Sequence, residues 1–210
     1  MSVSPSITDH ELIRRCAQGD EAALRTLFGR YQAIVYNLLY RMLGNRDDAD
    51  ELLPDVFLNV WKGAARFQAR ANPATWIHRI AANACIDRLR RRPPAPSMSL
   101  EDLADREDLA AVPYDPLLRL VQAEQRAQLQ AGLMALSPDD RLLITLYHLQ
   151  DRSYDEIRAI TGLTYALLKS RLFRARQRLR EHYSKLEQEA TDDEMPEGSA
   201  PFTRFQYRPA

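Results

Sequence analysis

Apolar residues recur along this chain every three or four positions and almost nowhere every second one, which is the period of helices rather than strands. Thr8 and Glu11 form a capping-box pattern ahead of Leu12, Ile13 and Cys16, and that first helix ends near Gly19. Asp20 can cap the next. Its apolar stripe (Leu24, Leu27, Phe28, Tyr31, Ile34, Val35, Leu38, Leu39, Met42, Leu43) is two residues wide over six turns and stops at Gly44, as expected of a long buried helix. A third helix opens at Asn45 and buries Leu52, Val56, Phe57, Val60 and Trp61. Pro54 inside it removes a backbone donor and is expected to bend or loosen it. Residues 67–72 read as a loop, and Pro73 suits the first turn of a helix over 74–92 that carries Trp76, Ile77, Ile80, Ala81, Cys85 and Leu89.

The second half repeats the style. An amphipathic helix over 117–136 is followed by Ser137-Pro138-Asp139-Asp140, a strong helix start, and then by Leu142, Leu143, Leu146, Tyr147 and Leu149. Ser153 and Glu156 form a second capping box, Ile157 and Ile160 share a face, and Gly162 stands where a left-handed C′ residue is wanted. Thr164 can cap a last helix whose inner stripe is Leu168, Leu172, Ala175 and Leu179. Lys169, Ser170, Phe173, Arg174, Gln177 and Arg180 fall on or near its other side. A short capped helix, a glycine turn and a second helix anchored on one face and cationic on the other is the sequence form of a DNA-reading helix-turn-helix. The plainer alternative is an amphipathic hairpin whose arginines are simply solvated.

Charge sharpens the choice. Twenty-nine basic and 29 acidic residues give zero formal net charge, which argues against nucleic acid until the blocks are separated. Asp47, Asp48, Asp50 and Glu51 open the third helix, with Asp55 and Asn59 further along its polar side. They suit the positive end of the helix dipole and solubility, or an acidic face for a protein partner. From Lys62 to Arg92 the sign reverses: Arg66, Arg70, Arg79, Arg88, Arg90, Arg91 and Arg92 oppose one acid, Asp87. Basic residues interleaved with Phe67 and Trp76 beside a loop suit single-stranded or partly melted nucleic acid, although both rings also fit a core. Residues 95–116 hold three prolines and an excess of acids, as expected of a linker between two domains, 1–94 and 117–188. Residues 189–210, with Phe202, Phe205 and Tyr207, are expected to form a disordered tail. Six basic residues and no acid lie between Lys169 and Arg180.

Neither catalysis nor a cofactor is expected. His10, His78, His148 and His182 are dispersed, and no phosphate-binding glycine loop, metal-ligand spacing or nucleophile–base pair is present. Cys16 and Cys85 both sit inside helical patterns, so a disulfide framework or zinc cluster is not indicated. No apolar leader or membrane-length run is present, and a soluble cytoplasmic protein is expected.

Taken together, several motifs resemble the extracytoplasmic-function (ECF) sigma factors of the sigma-70 superfamily. They are Asp48-Ala-Asp-Glu-Leu-Leu-Pro-Asp-Val-Phe-Leu-Asn-Val-Trp61, Thr75-Trp-Ile-His-Arg-Ile-Ala-Ala-Asn-Ala-Cys-Ile-Asp-Arg-Leu-Arg-Arg91, Leu136-Ser-Pro-Asp-Asp-Arg141, Ser153-Tyr-Asp-Glu-Ile157 and Lys169-Ser-Arg-Leu-Phe-Arg-Ala-Arg176. The resemblance covers about residues 8–185. It implies an all-α protein of two helical domains, sigma regions 2 and 4. It further implies that Asp48, Asp50, Glu51, Asp55 and Asn59 meet core RNA polymerase at its β′ coiled coil, and that the second domain meets the β flap. Arg66, Phe67, Arg70, Trp76, Asn83, Asp87, Arg88 and Arg91 would act at the minus-ten element, and Lys169, Ser170, Phe173, Arg174 and Gln177 would read the minus-35 element. An anti-sigma factor partner is implied as well. Against the family pattern, Pro54 replaces a usual glutamine, and Tyr165-Ala-Leu-Leu168 replaces a glycine-threonine-valine-type helix start. The rival expectation is a free-standing helix-turn-helix regulator that binds duplex DNA without polymerase.

Overall fold

The structure, a computed structural model, describes residues 7–91 and 116–193. The expected linker, apart from Pro116, and the tail beyond 193 lie outside the described residues. Among the described residues eight α-helices run in the order α1 (Asp9–Ala17), α2 (Glu21–Leu43), α3 (Arg46–Gly63), α4 (Pro73–Arg91), α5 (Pro116–Met134), α6 (Pro138–Ile144), α7 (Tyr154–Thr161) and α8 (Tyr165–Asp193). A 3-10 turn, Ala64–Arg66, follows α3, and a π-helical turn, Thr145–Leu149, follows α6. No strand occurs among the described residues, as expected of an all-α protein.

Helix ends follow the local chemistry. Asp20 accepts from the amides of Ala22 (2.9 Å) and Ala23 (3.2 Å) and opens α2, and Gly44 closes it in the left-handed region, φ 79°. The capping box expected at Thr8 is only half formed. Thr8 accepts from the Glu11 amide, but the Glu11 carboxylate turns to Arg14 at 2.6 and 2.8 Å. The bend expected at Pro54 does not break α3, which runs continuously through it. Pro54 and Asp50 are on the exposed side, so the carbonyl that loses its donor faces water. At the other end of the chain, α8 continues to Asp193, into the stretch expected as tail.

In the first domain α2 is the central helix, with α1, α3 and α4 packed around it. Leu27, Val35, Leu38, Leu39, Met42, Val56, Val60, Ile77 and Ala81 are fully buried there. Cys85 lies in the same core as a free thiol that burial pushes up to about 12, an inert packing residue. The second domain wraps α5–α7 around the inner stripe of α8.

The two domains are docked, with α7 against α4 and with α5 and α6 at the end of α2. Polar side chains do much of the joining. The Arg141 guanidinium, almost fully buried, donates to the carbonyls of Leu133 (2.9 Å), Met134 and Leu136 (both 3.2 Å) and to Met42 across the domain boundary. A cation set among carbonyls at the C-terminal ends of two helices is met by both the lone pairs and the helix dipoles, which offsets its desolvation. Gln130 donates to the carbonyls of Tyr40 (3.4 Å) and Arg41 (3.3 Å), and Gln150 to that of Ile34 (2.9 Å). His78 is buried with Nδ1 2.7 Å from the Ala74 carbonyl and Nε2 3.1 Å from Arg152, which also pairs with Glu156 at 2.9 Å. The carbonyl requires the proton on Nδ1 and Arg152 requires a lone pair on Nε2, so the ring is neutral. Burial first, and the Arg152 charge with it, hold its pKa below the ordinary value. A side chain on Gly44 would meet Met134 of α5, with its Cβ 2.7 Å from the sulfur.

Candidate nucleic-acid interface

The helix-turn-helix is built as its motif requires. Ser153 and Glu156 satisfy each other's backbone donors (2.9 and 3.3 Å), Gly162 ends α7 at φ 74°, and Thr164 accepts from Leu167 to start α8. Ile157, Ile160, Leu168, Leu172 and Ala175 are buried together, which fixes the roll of α8. Lys169, Ser170, Phe173 and Arg174 are thereby exposed and Gln177 is half-buried, on the side opposite the core.

The six basic residues of this stretch divide into two sets. Arg171 pairs with Asp139 at 3.2 Å and Arg178 pairs with Asp140, both acids standing in the first turn of α6. Arg176 donates to His148 Nε2 at 3.0 Å and lies over the Tyr147 ring, 5.0 Å from its centre. Lys169, Arg174 and Arg180 have no protein partner among the described residues. A cavity of about 200 Å³ is lined by Ser137, Asp139, Asp140, Arg171, Arg174 and Arg178. The neighbouring helix thus neutralises the flank of α8 and leaves cations on the face.

In the first domain the expected minus-ten residues separate. Arg66, Arg70 and Arg91 are exposed and unpaired among the described residues. Phe67 is half-buried, its ring 5.8 Å from His10 and 4.9 Å from Trp76, and His10 also reaches the Ala71 carbonyl at 3.2 Å, so the loop is braced on α1. Trp76 is only 9% exposed and packs against Gly63, where an added Cβ would lie 3.1 Å from the ring. It is a core side chain, not one offered to a base. Arg88 is turned away too: it pairs with Asp48 at 2.7 Å and Glu51 at 2.6 Å, tying α4 to α3. Those carboxylates, Glu51 first, raise its pKa further above the ordinary value. Asn83 and Asp87 are exposed, but they line a groove of about 530 Å³ whose far wall is Leu142, Leu143, Ile160 and Arg171 of the second domain.

On α3, Asp50, Glu51, Asp55 and Asn59 are exposed along one side, and Asp48 is half-buried against Arg88. Leu58 stands among them 46% exposed, an apolar residue on the acidic face that the helical pattern alone did not single out. The sequence reading also missed Gln130, Arg141, Gln150 and the His78–Arg152 contact, because each acts between elements far apart in the chain. Among the described residues no three potential metal ligands cluster, and no helix is long and apolar enough to cross a membrane.

Comparison with known proteins places this geometry. Residues 27–93 match the family model for sigma-70 region 2, and residues 126–179 the model for sigma-70 region 4. The ECF RNA polymerase sigma factor SigM of Mycobacterium tuberculosis is 33% identical over 172 residues, 82% of this chain and 83% of the relative. Among solved structures, CnrH in complex with the cytosolic domain of CnrY superposes with a TM-score of 0.61 at 22% identity, over 84% of this chain and 97% of that one. The sigma factor RpoE in complex with the anti-sigma factor NepR from Bartonella quintana gives 0.56 at 22% identity, over 75% and 94%. These two show a shared fold, and the family models and the relative show the kinship: this chain belongs to the ECF RNA polymerase sigma factors, non-catalytic transcription-initiation factors of the sigma-70 superfamily.

Proposed function

We propose that this sigma factor divides its work along the two domains, joined through residues 95–116. The exposed face of α8 reads the minus-35 element in the major groove: Lys169 and Arg174 donate to base edges and phosphates, Ser170 and Gln177 add hydrogen bonds, and Phe173 adds apolar contact. The observation that carries this assignment is the sorting of the six basic residues, three braced against protein and three left for a ligand. Asn83 and Asp87 on α4, with Arg66, Arg70, Arg91 and the Phe67 loop, serve the minus-ten element. Arg88 and Trp76 support that surface from behind. Asp50, Asp55, Asn59 and Leu58 on α3 form the grip on core polymerase.

Asn83 and Asp87 are exposed but face a groove shared with the docked second domain, and minus-ten engagement is proposed to widen that groove by parting the domains. An anti-sigma partner, of the kind bound to RpoE in the Bartonella quintana complex, is proposed to hold the factor inactive in the cytoplasm. Run-off transcription on genomic templates with purified core polymerase tests the assignment. Added factor is expected to produce new promoter-specific transcripts, and none above core alone would overturn it. Sequence-specific duplex binding by the factor without polymerase, equal to that of the holoenzyme, would favour the free-standing regulator instead.

A further inference from the structure

The exposed stripe of α8 begins one turn earlier than the residues assigned above. Stepping by four from Lys169, Phe173 and Gln177 leads back to Tyr165, and side chains at that spacing share a helix face. Tyr165 and Phe173, at 51% and 59%, are the two most exposed large apolar side chains among the described residues. Their exposure is not a packing accident, because the same helix buries Leu168, Leu172 and Ala175 completely on its other side.

Tyr165 is also held in place. Its ring lies 5.5 Å from that of Tyr154 at the start of α7, inclined at 60°, and Tyr154 lies 5.3 Å from Tyr147 in the π-helical turn. Arg176 caps the ladder on Tyr147 and is itself fixed by His148. A row of tilted aromatic pairs gains from its ring quadrupoles and leaves the last ring pre-positioned, so little side-chain entropy is lost on contact. The first turn of a recognition helix is the part that meets base edges. The distinctive apolar group there is the C5-methyl of thymine.

We propose that Tyr165 is a specificity-determining residue whose ring packs on a thymine methyl in the minus-35 duplex, next to the bases met by Lys169. The inference rests on the assignment of α8 to that element. It is tested by selecting minus-35 windows from a randomised promoter library with reconstituted holoenzyme, using the unaltered factor, Tyr165→Ala, Tyr165→Phe and Arg174→Ala. The unaltered factor is expected to select a motif containing a thymine whose preference Tyr165→Ala loses and Tyr165→Phe keeps, while Arg174→Ala relaxes a different position. Replacing that thymine by deoxyuridine removes only the methyl, and is expected to weaken binding of the unaltered holoenzyme roughly three- to five-fold and that of Tyr165→Ala not at all. An unchanged motif in Tyr165→Ala, a preference lost in Tyr165→Phe, or indifference to deoxyuridine would each overturn the proposal. If the unaltered holoenzyme selects no motif in this window, the assignment of α8 itself fails, a result distinct from the other three.

Discussion

The outer face of α8 and that of α4 are both rich in arginine, yet the fold treats them in opposite ways. On α8 the acids come from a neighbouring helix. Asp139 and Asp140 take Arg171 and Arg178 on the flank, and Lys169 and Arg174 remain free on the exposed side. On α4 the acids of α3 take Arg88, and exposed Asn83 and Asp87 share a groove with the second domain. The density of basic residues therefore does not measure the charge offered to a ligand. What decides is where the nearest carboxylates sit and what else packs on the face. On the proposed assignment, the α8 surface is open to duplex DNA as it stands, whereas the α4 surface lies in a groove beside the second domain.

The strongest way to break this contrast is to remove one arginine of each kind from α8. Arg174→Ala is expected to lower promoter-specific transcription by roughly 5- to 150-fold, the range of one lost base contact, with binding to core polymerase intact. Arg171→Ala, whose guanidinium is already engaged, is expected to change promoter affinity far less. Equal losses in both would mean that the sorting of cations has no consequence for DNA.

Gln150→Ala combined with Arg152→Ala removes the bonds to Ile34 and His78 and is expected to weaken docking by about 1–3 kcal/mol. Fluorescence energy transfer between labels on the two domains should report a more open population, and cross-linking at Asn83 should rise. No change in either would show that these contacts do not hold the domains together.

A smaller effect separates support from contact on α4. Arg88→Ala should lower stability by about 1 kcal/mol, since partly exposed ion pairs contribute little, and the melting temperature by a few degrees. Promoter melting should follow stability and not fall beyond it. A large loss of promoter opening with unchanged thermal stability would restore Arg88 as a DNA contact.

The smallest effect is on pH. Burial lowers the His78 pKa below its ordinary 6.5, so below that pH the unfolded chain binds a proton that the folded chain resists. Stability is therefore expected to fall as pH drops below about 6.5. Glu156 pulls His78 the other way, and His148, also lowered by burial, adds to the same acid-side loss. His78→Gln should flatten part of the slope in thermal melts between pH 5 and 7; an unchanged slope would place the titration elsewhere.

Much of the helix-turn-helix is legible in the chain itself, because its signals are local. Ser153, Glu156, Gly162 and Thr164 act within a turn of their own positions, and the spacing of Leu168, Leu172 and Ala175 sets which side of α8 faces out. The same holds for Asp20 and Gly44 around α2. Local reading fails where a side chain has two places to go. Glu11 has Arg14 one turn away and leaves the capping box half made, and Arg88 has Asp48 and Glu51 across a helix pair. Trp76 fits either a base-stacking aromatic or a core ring until Gly63 and Phe67 are seen against it.

Element type and order, most caps, and most of the buried positions were thus determined by the sequence, since hydrophobic period and caps act over a few residues. Which arginines stay free, how Gln130, Arg141 and Gln150 fasten the domains through backbone carbonyls, and that Asn83 faces a groove were decided only by tertiary structure. These depend on pairings across 30 to more than 100 residues (Asp139 with Arg171, Gln150 with Ile34), and no periodicity encodes them.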